Sequence, residues 1–245
     1  MNAAAIILGG IIGLVRTEPL SASSQAFFKV ALGTATMFFG LRLTWLSIGG
    51  SFGQVVKQIF IAFVAISLGN LLGKTIRLQQ RSNRLGQFAR KLIESHRPDH
   101  PHRFSNGMNA CMILFCAAPL GLIGAITDAL PQEADSMGYF FPLAVKAVMD
   151  GLAMMGFVKI FGWGATFSAL PVFVFFGTIT MTTHVFVEPF LRTHDLLNSV
   201  NAAAGLIICS VGVVIFEIRR VHLADYLPAL AIAPLITWLI SSLWK

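Results

Sequence analysis

Two residues of opposite charge, Lys146 and Asp150, stand four apart in the otherwise apolar stretch "PLAVKAVMDGLAMMGF". At that spacing they share one face of a helix and can neutralise one another. A charge kept inside an apolar helix needs such a partner or a use, so the pair reads as a structural ion pair or as a site where a proton or solute couples to the protein. Lys29 in "AFFKVALG" and Glu217 in "VVIFEIRR" lie near enough to the ends of their apolar segments for the charged heads to reach water. In "FSALPVFVFFGTITMTTH" the hydroxyls of Ser168, Thr178, Thr180 and Thr182 accompany Pro171; they either face a polar cavity or bond back to their own helix. Asparagine leads three similar segments, "NAAAIILGGIIGLV" from Asn2, "NACMILFCAAPLGLIG" from Asn109 and "NAAAGLIICSVGVV" from Asn201, and Asp128 follows the second of them.

The elements that must hold these residues are membrane-spanning helices. Of 245 residues 56% are hydrophobic and 12% charged, with a mean hydropathy of +0.75, which excludes a soluble domain with a wet surface. The apolar runs approach the roughly 20 residues that cross a ~30 Å hydrocarbon core, whereas a β-barrel shows short alternating segments. The fold expected is therefore an all-α, polytopic helical bundle in a single transmembrane domain over residues 1–245. Eight spans are expected, at about 2–15, 26–46, 56–73, 107–130, 142–161, 165–187, 198–217 and 224–243, or seven if the short first segment does not cross. The first segment lacks a basic start and a small-residue cleavage site, so it reads as a retained helix, not a signal peptide. Pro119, Pro171, Pro228 and Pro234 fall within spans and free backbone carbonyls there, as in the discontinuous helices of secondary transporters. If the spans alternate, Asn2 and Asn109 open helices of opposite direction three spans apart, which makes spans 1–3 and 4–6 an inverted internal repeat, with Asn201 starting a parallel copy.

Charge sets the orientation. Twelve of the thirteen loop Lys and Arg residues fall on one side of the alternating arrangement, eight of them between Lys74 and Arg103. The positive-inside rule makes that side cytoplasmic, with both termini and the loop holding Asp128, Glu133 and Asp135 outside. Most of the +7 net charge thus belongs to one basic cytoplasmic loop, residues 74–106, which accounts for it without nucleic acid. Within it Leu78, Leu85, Phe88 and Leu92 share a helical face flanked by Arg and Lys, the pattern of a helix lying against anionic lipids. His96, Asp99, His100 and His102 offer metal-ligand types, but Pro98 and Pro101 break any helical spacing among them, and no metal is assigned. Cys111, Cys116 and Cys209 sit in apolar runs and read as small buried side chains. Glycines four apart, Gly9 with Gly13 and Gly69 with Gly73, permit close helix crossing and a homo-oligomer. There is no HExxH, GxSxG, P-loop or GxGxxG motif, so no enzyme chemistry and no cofactor are expected.

The stretches "LFCAAPLGLIGAITDAL", "KAVMDGLA", "FSALPVFVFFGTIT" and "YLPALAIAPL", with "NAAAIILGGIIGL" at the start and "LGNLLGKTIRLQQRSNRLG" after the third span, occur in one order over most of the chain. In this the sequence resembles the bacterial inner-membrane family catalogued as domain of unknown function 554, the YqgA-like proteins. The resemblance implies a multi-pass protein of the bacterial cytoplasmic membrane and marks Asn2, Asp128, Lys146, Asp150, Ser168 and Pro171 as recurrent positions. It also marks two departures: Phe176 stands where the family typically has Gln, and Lys74 where it has an acidic residue.

The function expected is a small-solute or ion-coupled secondary transporter, with Lys146, Asp150, Asp128, Asn2, Asn109, Asn201, Ser168 and Thr178 as substrate or coupling candidates. The competing reading is a non-transporting membrane scaffold or signalling partner whose polar residues bind helices together. A water-filled cavity reaching Lys146 and Asp150 separates the first reading from the second.

Overall fold

A computed structural model describes residues 1–16, 18, 20–94, 102–131 and 139–243. Every regular element among them is helical: α1 (Asn2–Val15), α2 (Ala22–Ser47), α3 (Phe52–Thr75), α4 (Leu78–Glu94), α5 (Arg103–Cys116), α6 (Pro119–Asp128), α7 (Phe141–Phe161), α8 (Trp163–Thr166), α9 (Ala169–Thr182), α10 (Glu188–Thr193), α11 (Leu197–Ile215) and α12 (Ala229–Leu243). A π-helical turn, Thr183–Val187, joins α9 to α10, and a 3₁₀ turn, Leu223–Tyr226, precedes α12. The eight apolar segments all appear as helix. Six are long and apolar enough to cross a membrane, and the pair α5 and α6, bent by 62° at its break, makes seven if it crosses as one broken span. α1 has 14 residues, about 21 Å of helix, and falls short of a ~30 Å core on its own.

Local chemistry fixes where these helices begin and end. The Ser21 hydroxyl accepts from the Ser24 amide at 3.1 Å to cap α2, and Ser51 with Gln54 forms a capping box on α3. Proline occupies the first turn of α6, α7 and α10, where its missing amide hydrogen costs nothing. Gly162 ends α7 at a φ of 67°, a left-handed conformation that favours glycine, and reverses the chain into α8.

Each of the first three helices packs on a partner from the second half of the chain: α1 on α7, α2 on α11 and α3 on α12. Glycine makes each approach close. A Cβ at Gly9 would land on the carbonyl of Gly151, one at Gly40 would meet the backbone of Gly205 and Cys209 on α11, and one at Gly69 would meet Ala229 at the start of α12. The buried residues form one cluster around α6, α11 and Tyr139, a second around α1, α5, α7 and α9, and a small third of Ala65, Ala203 and Ala233 where α3, α11 and α12 meet.

Candidate functional site

Lys146 and Asp150 lie on the buried face of α7 with Val145, Ala147, Gly151 and Met154, and are 2% and 5% exposed. The Lys146 ammonium is ion-paired to Asp150 Oδ2. The same oxygen accepts from Asn2 Nδ2 at 2.9 Å, so α1 contributes its first helical residue to the pair. This is possible because Gly9 and Gly13 allow α1 to lie against the α7 backbone at Gly151 and Met155. The ammonium stands 5.5 Å from the centroid of the Phe115 ring, within cation–π range. Gly121 on α6 and Phe176 on α9 complete the enclosure: a Cβ at Gly121 would strike the Phe176 ring and lie 3.4 Å from Lys146 Cε. A lone charge at mid-membrane costs at least about 2.5–3.5 kcal/mol on insertion scales; here the two charges pair and the Asn2 NH₂ adds a hydrogen bond, while Asn2 Oδ1 is buried without a partner among the described residues.

The helix break lies beside this pair. α5 ends at Cys116 and α6 begins at Pro119, so Ala118 and Pro119 bring irregular backbone next to Lys146. The first turn of α6 starts there, with Pro119 at its first position and the Gly121 amide bonded to the Ala118 carbonyl at 3.0 Å, and turns the positive end of the helix dipole this way. From this point a cavity of about 770 Å³ runs to one end of the bundle. Ala118, Pro119, Lys146 and Asp150 form its inner end, Phe28, Leu32, Met149 and Val211 line its walls, and Arg16, Glu18, Lys159 and Glu217 stand at its mouth. Lys29 also lines the mouth and pairs with Glu217 at 2.7 Å, so these two charges neutralise one another at the mouth. Thirteen residues of α7 separate Lys146 from Lys159, an axial distance of about 20 Å.

The other end of the bundle is packed shut. Leu130, Tyr139, Leu196 and Asn201 are each no more than 2% exposed, Asn201 Nδ2 donates to the Leu130 carbonyl at 3.2 Å, and the rings of Phe39 and Phe141 stack at 3.6 Å. At the surface of that end, Arg192 donates to Glu188 Oε1 at 2.9 and 2.7 Å and to the Pro131 carbonyl at 3.2 Å.

Of the candidates read from sequence, Lys146, Asp150 and Asn2 meet. Asn201 is buried at the sealed end, Asp128 is half-buried at the C-terminus of α6, and Asn109 is half-buried within α5; none of them lines the cavity. Ser168 is fully buried just ahead of α9, its hydroxyl without a partner among the described residues. Thr178 does not face a cavity. It is exposed on α9 and donates to the Val174 carbonyl at 2.7 Å, because that helix turns Val172 and Phe176 inward and leaves Thr178 outside. Thr180 bonds the Ala125 carbonyl on α6 at 3.2 Å and serves to hold two helices together.

Nothing in the spacing marked Phe115, one phenylalanine among twenty-one, and Phe176 stood out only as a departure from the family pattern, not as a wall of the site. Nor did the spacing mark the clamp in which the Gln79 amide donates to Asp225 Oδ1 at 2.9 Å while Gln79 Oε1 accepts from the Ala224 amide at 3.1 Å. Among the described residues no group of three or more His, Cys, Asp or Glu is placed to hold a metal ion; His96, Asp99 and His100, and Glu133 and Asp135 of the opposite loop, lie outside the described residues.

The family model described as "Protein of unknown function (DUF554)" matches residues 1–238, and the chain belongs to that family. It is 27% identical over 239 residues to the "Uncharacterized membrane protein YdfK" of Bacillus subtilis, covering 98% of this chain and 94% of that protein. It is 24% identical over 236 residues to the "Uncharacterized protein YqgA" of Escherichia coli, covering 95% and 92%. No solved structure matches the chain.

Proposed function

We propose, from membership of this family and the geometry of the cavity, that the protein is a secondary transporter of the bacterial cytoplasmic membrane, moving a small solute or an ion-coupled solute. The observation that carries the reading is the one-ended cavity whose inner wall is the Lys146–Asp150 pair. A volume of about 770 Å³ lies within the range of small-molecule sites. An apolar wall that ends on a few convergent polar groups and the start of a half-helix is the arrangement by which transporters hold a solute at mid-membrane. Asp150 spends only one oxygen, Oδ2, on Lys146 and Asn2, so the pair can exchange a partner without losing every bond.

The cations at Arg16, Lys159, Arg219, Arg220 and the α4 region support, through the positive-inside rule, a cytoplasmic mouth for the cavity. The conformation is then inward-facing, with the packed layer around Tyr139 and Asn201 as the external barrier. No residue is assigned a catalytic role.

The test is flux into vesicles reconstituted with purified protein, screened against small charged and zwitterionic metabolites with and without a proton gradient. Transport predicts uptake above that of protein-free vesicles for at least one class, abolished by Asp150→Asn with the protein still folded. Uptake no different from protein-free vesicles across the panel, with protein insertion verified, favours the scaffold and ends the transport reading.

A further inference from the structure

α4 turns two unlike faces to its surroundings. One packs on the bundle: Ala89 is fully buried, Ile93 is half-buried, and Ser82 Oγ lies 3.4 Å from the Ala117 carbonyl in the break between α5 and α6, with Leu78 and Leu92 half-buried along the border with the other face. The other carries Arg81, Arg84, Leu85, Phe88 and Lys91, which at 100° per residue fall within one third of the helix circumference. Leu85 and Phe88 are 49% and 54% exposed, and the three cations beside them are exposed and take no acid among the described residues as a partner. The single acid of the helix, Glu94, is held by Arg90 at 2.7 Å. A face meant for water does not carry a half-exposed Phe and Leu side by side, and one meant for hydrocarbon does not carry three cations. Alternation of the two suits the boundary, where apolar groups enter the acyl region and cations meet phosphates.

We propose that this face of α4 is a docking surface for anionic phospholipid headgroups, bound through Arg81, Arg84 and Lys91 with Leu85 and Phe88 inserted beneath them. Charge complementarity selects the occupant: three unpaired cations with no acid among them attract anionic lipid and gain nothing from a zwitterionic one. The surface is independent of transport. It is held in place by the Gln79–Asp225 clamp, and α4 walls a pocket of about 430 Å³ whose far side is Ala117, Ala118 and Pro119.

The test is native mass spectrometry of the full chain in neutral detergent, titrated with phosphatidylglycerol or phosphatidylcholine. Wild type is expected to retain phosphatidylglycerol preferentially. At about a fivefold factor in affinity for each cation near the surface, R81Q/R84Q/K91Q is expected to lose roughly 100-fold, with the same melting temperature. R81K/R84K, which keeps the charges, retains the lipid, and so does K57Q/R219Q/R220Q, which removes three exposed cations elsewhere. Equal retention of the two lipids by wild type, or undiminished phosphatidylglycerol binding by the R81Q/R84Q/K91Q variant, overturns the proposal. So does displacement of the lipid by inorganic phosphate at equal concentration, or a dimer lost on L85Q/F88Q in place of lipid adducts.

Discussion

Replacing one member of the Lys146–Asp150 pair strands the other in a site from which solvent is nearly excluded, and breaking a buried pair in this way costs about 3–5 kcal/mol. Lys146→Met and Asp150→Asn are each expected to lower thermal stability in detergent by that order. The double substitution is expected to regain most of it, since apolar replacement of both partners is often neutral or stabilising. A double variant that recovers flux along with stability ends the case for the pair as a coupling site. Asn2→Ala removes one charge-assisted hydrogen bond, for an expected loss of about 1.5–3 kcal/mol. Thr178→Val, at an exposed hydroxyl bonded to its own helix, is expected to stay within about 0.5 kcal/mol of wild type. Lys146 and Asp150 were legible because both partners lie one turn apart on a single helix. The bond from Asn2 was not, because it spans 148 positions of the chain and no local periodicity records such a contact. Which of its two readings Thr178 follows was not legible for a related reason: a helix hydroxyl always has its own carbonyl in reach, and only the packing of α9 decides which way it turns.

Helices read well from hydropathy, and their partners did not. Each apolar run became a helix and Pro119 foretold a break, but that α1 would choose α7 and α2 would choose α11 depends on where glycine faces meet, and many faces carry glycine. The pairings make a sharp prediction. Gly9→Val drives a side chain into the Gly151 carbonyl and Gly40→Val into the α11 backbone; each is expected to cost about 1–3 kcal/mol or more from overpacking, read as a lowered melting temperature. Gly156→Ala and Gly177→Ala, where an added Cβ meets nothing within 4 Å, are expected to be neutral or slightly stabilising. Equal damage at all four positions would mean that close approach is not what these glycines provide. The echo of asparagine-led segments also acquires a physical meaning at this scale. Asn2 is the first residue of α1, Asn201 the fifth of α11 and Asn109 the seventh of α5, and a glycine after each meets a close neighbour, Gly9 at Gly151, Gly205 at Thr44 and Gly121 at Phe176, so close packing is what the three segments share.

Arg16, Lys159 and Glu217 come from three separate helix ends and gather around one mouth, so the charge asymmetry of the sequence is also an asymmetry of shape. Single cysteines test it on a background without Cys111, Cys116 and Cys209. Glu18→Cys and Glu217→Cys are expected to react with an impermeant maleimide only after the cells are permeabilised, and His194→Cys, at the sealed end, in intact cells. The reverse pattern inverts the molecule. An orientation can be expected from composition alone because loop cations are counted without knowing the fold; the cavity was not legible, because its lining comes from five helices, α1, α2, α6, α7 and α11, distant in sequence. A vestibule filled with electrolyte sits close to the voltage of the compartment it opens to, so the membrane potential falls mainly across the packed layer beyond it. Between Phe141 and Lys146 that layer is five residues of α7, about 8 Å. The electric field there is several times what the same voltage makes across a full hydrocarbon core, and a unit charge displaced through those few ångströms exchanges nearly the whole ~2.3 kcal/mol that 100 mV supplies. In the proposed inward-facing conformation Tyr139, Phe141 and Leu130, all uncharged, stand in that zone, and a charged solute crossing it exchanges nearly the whole of that energy.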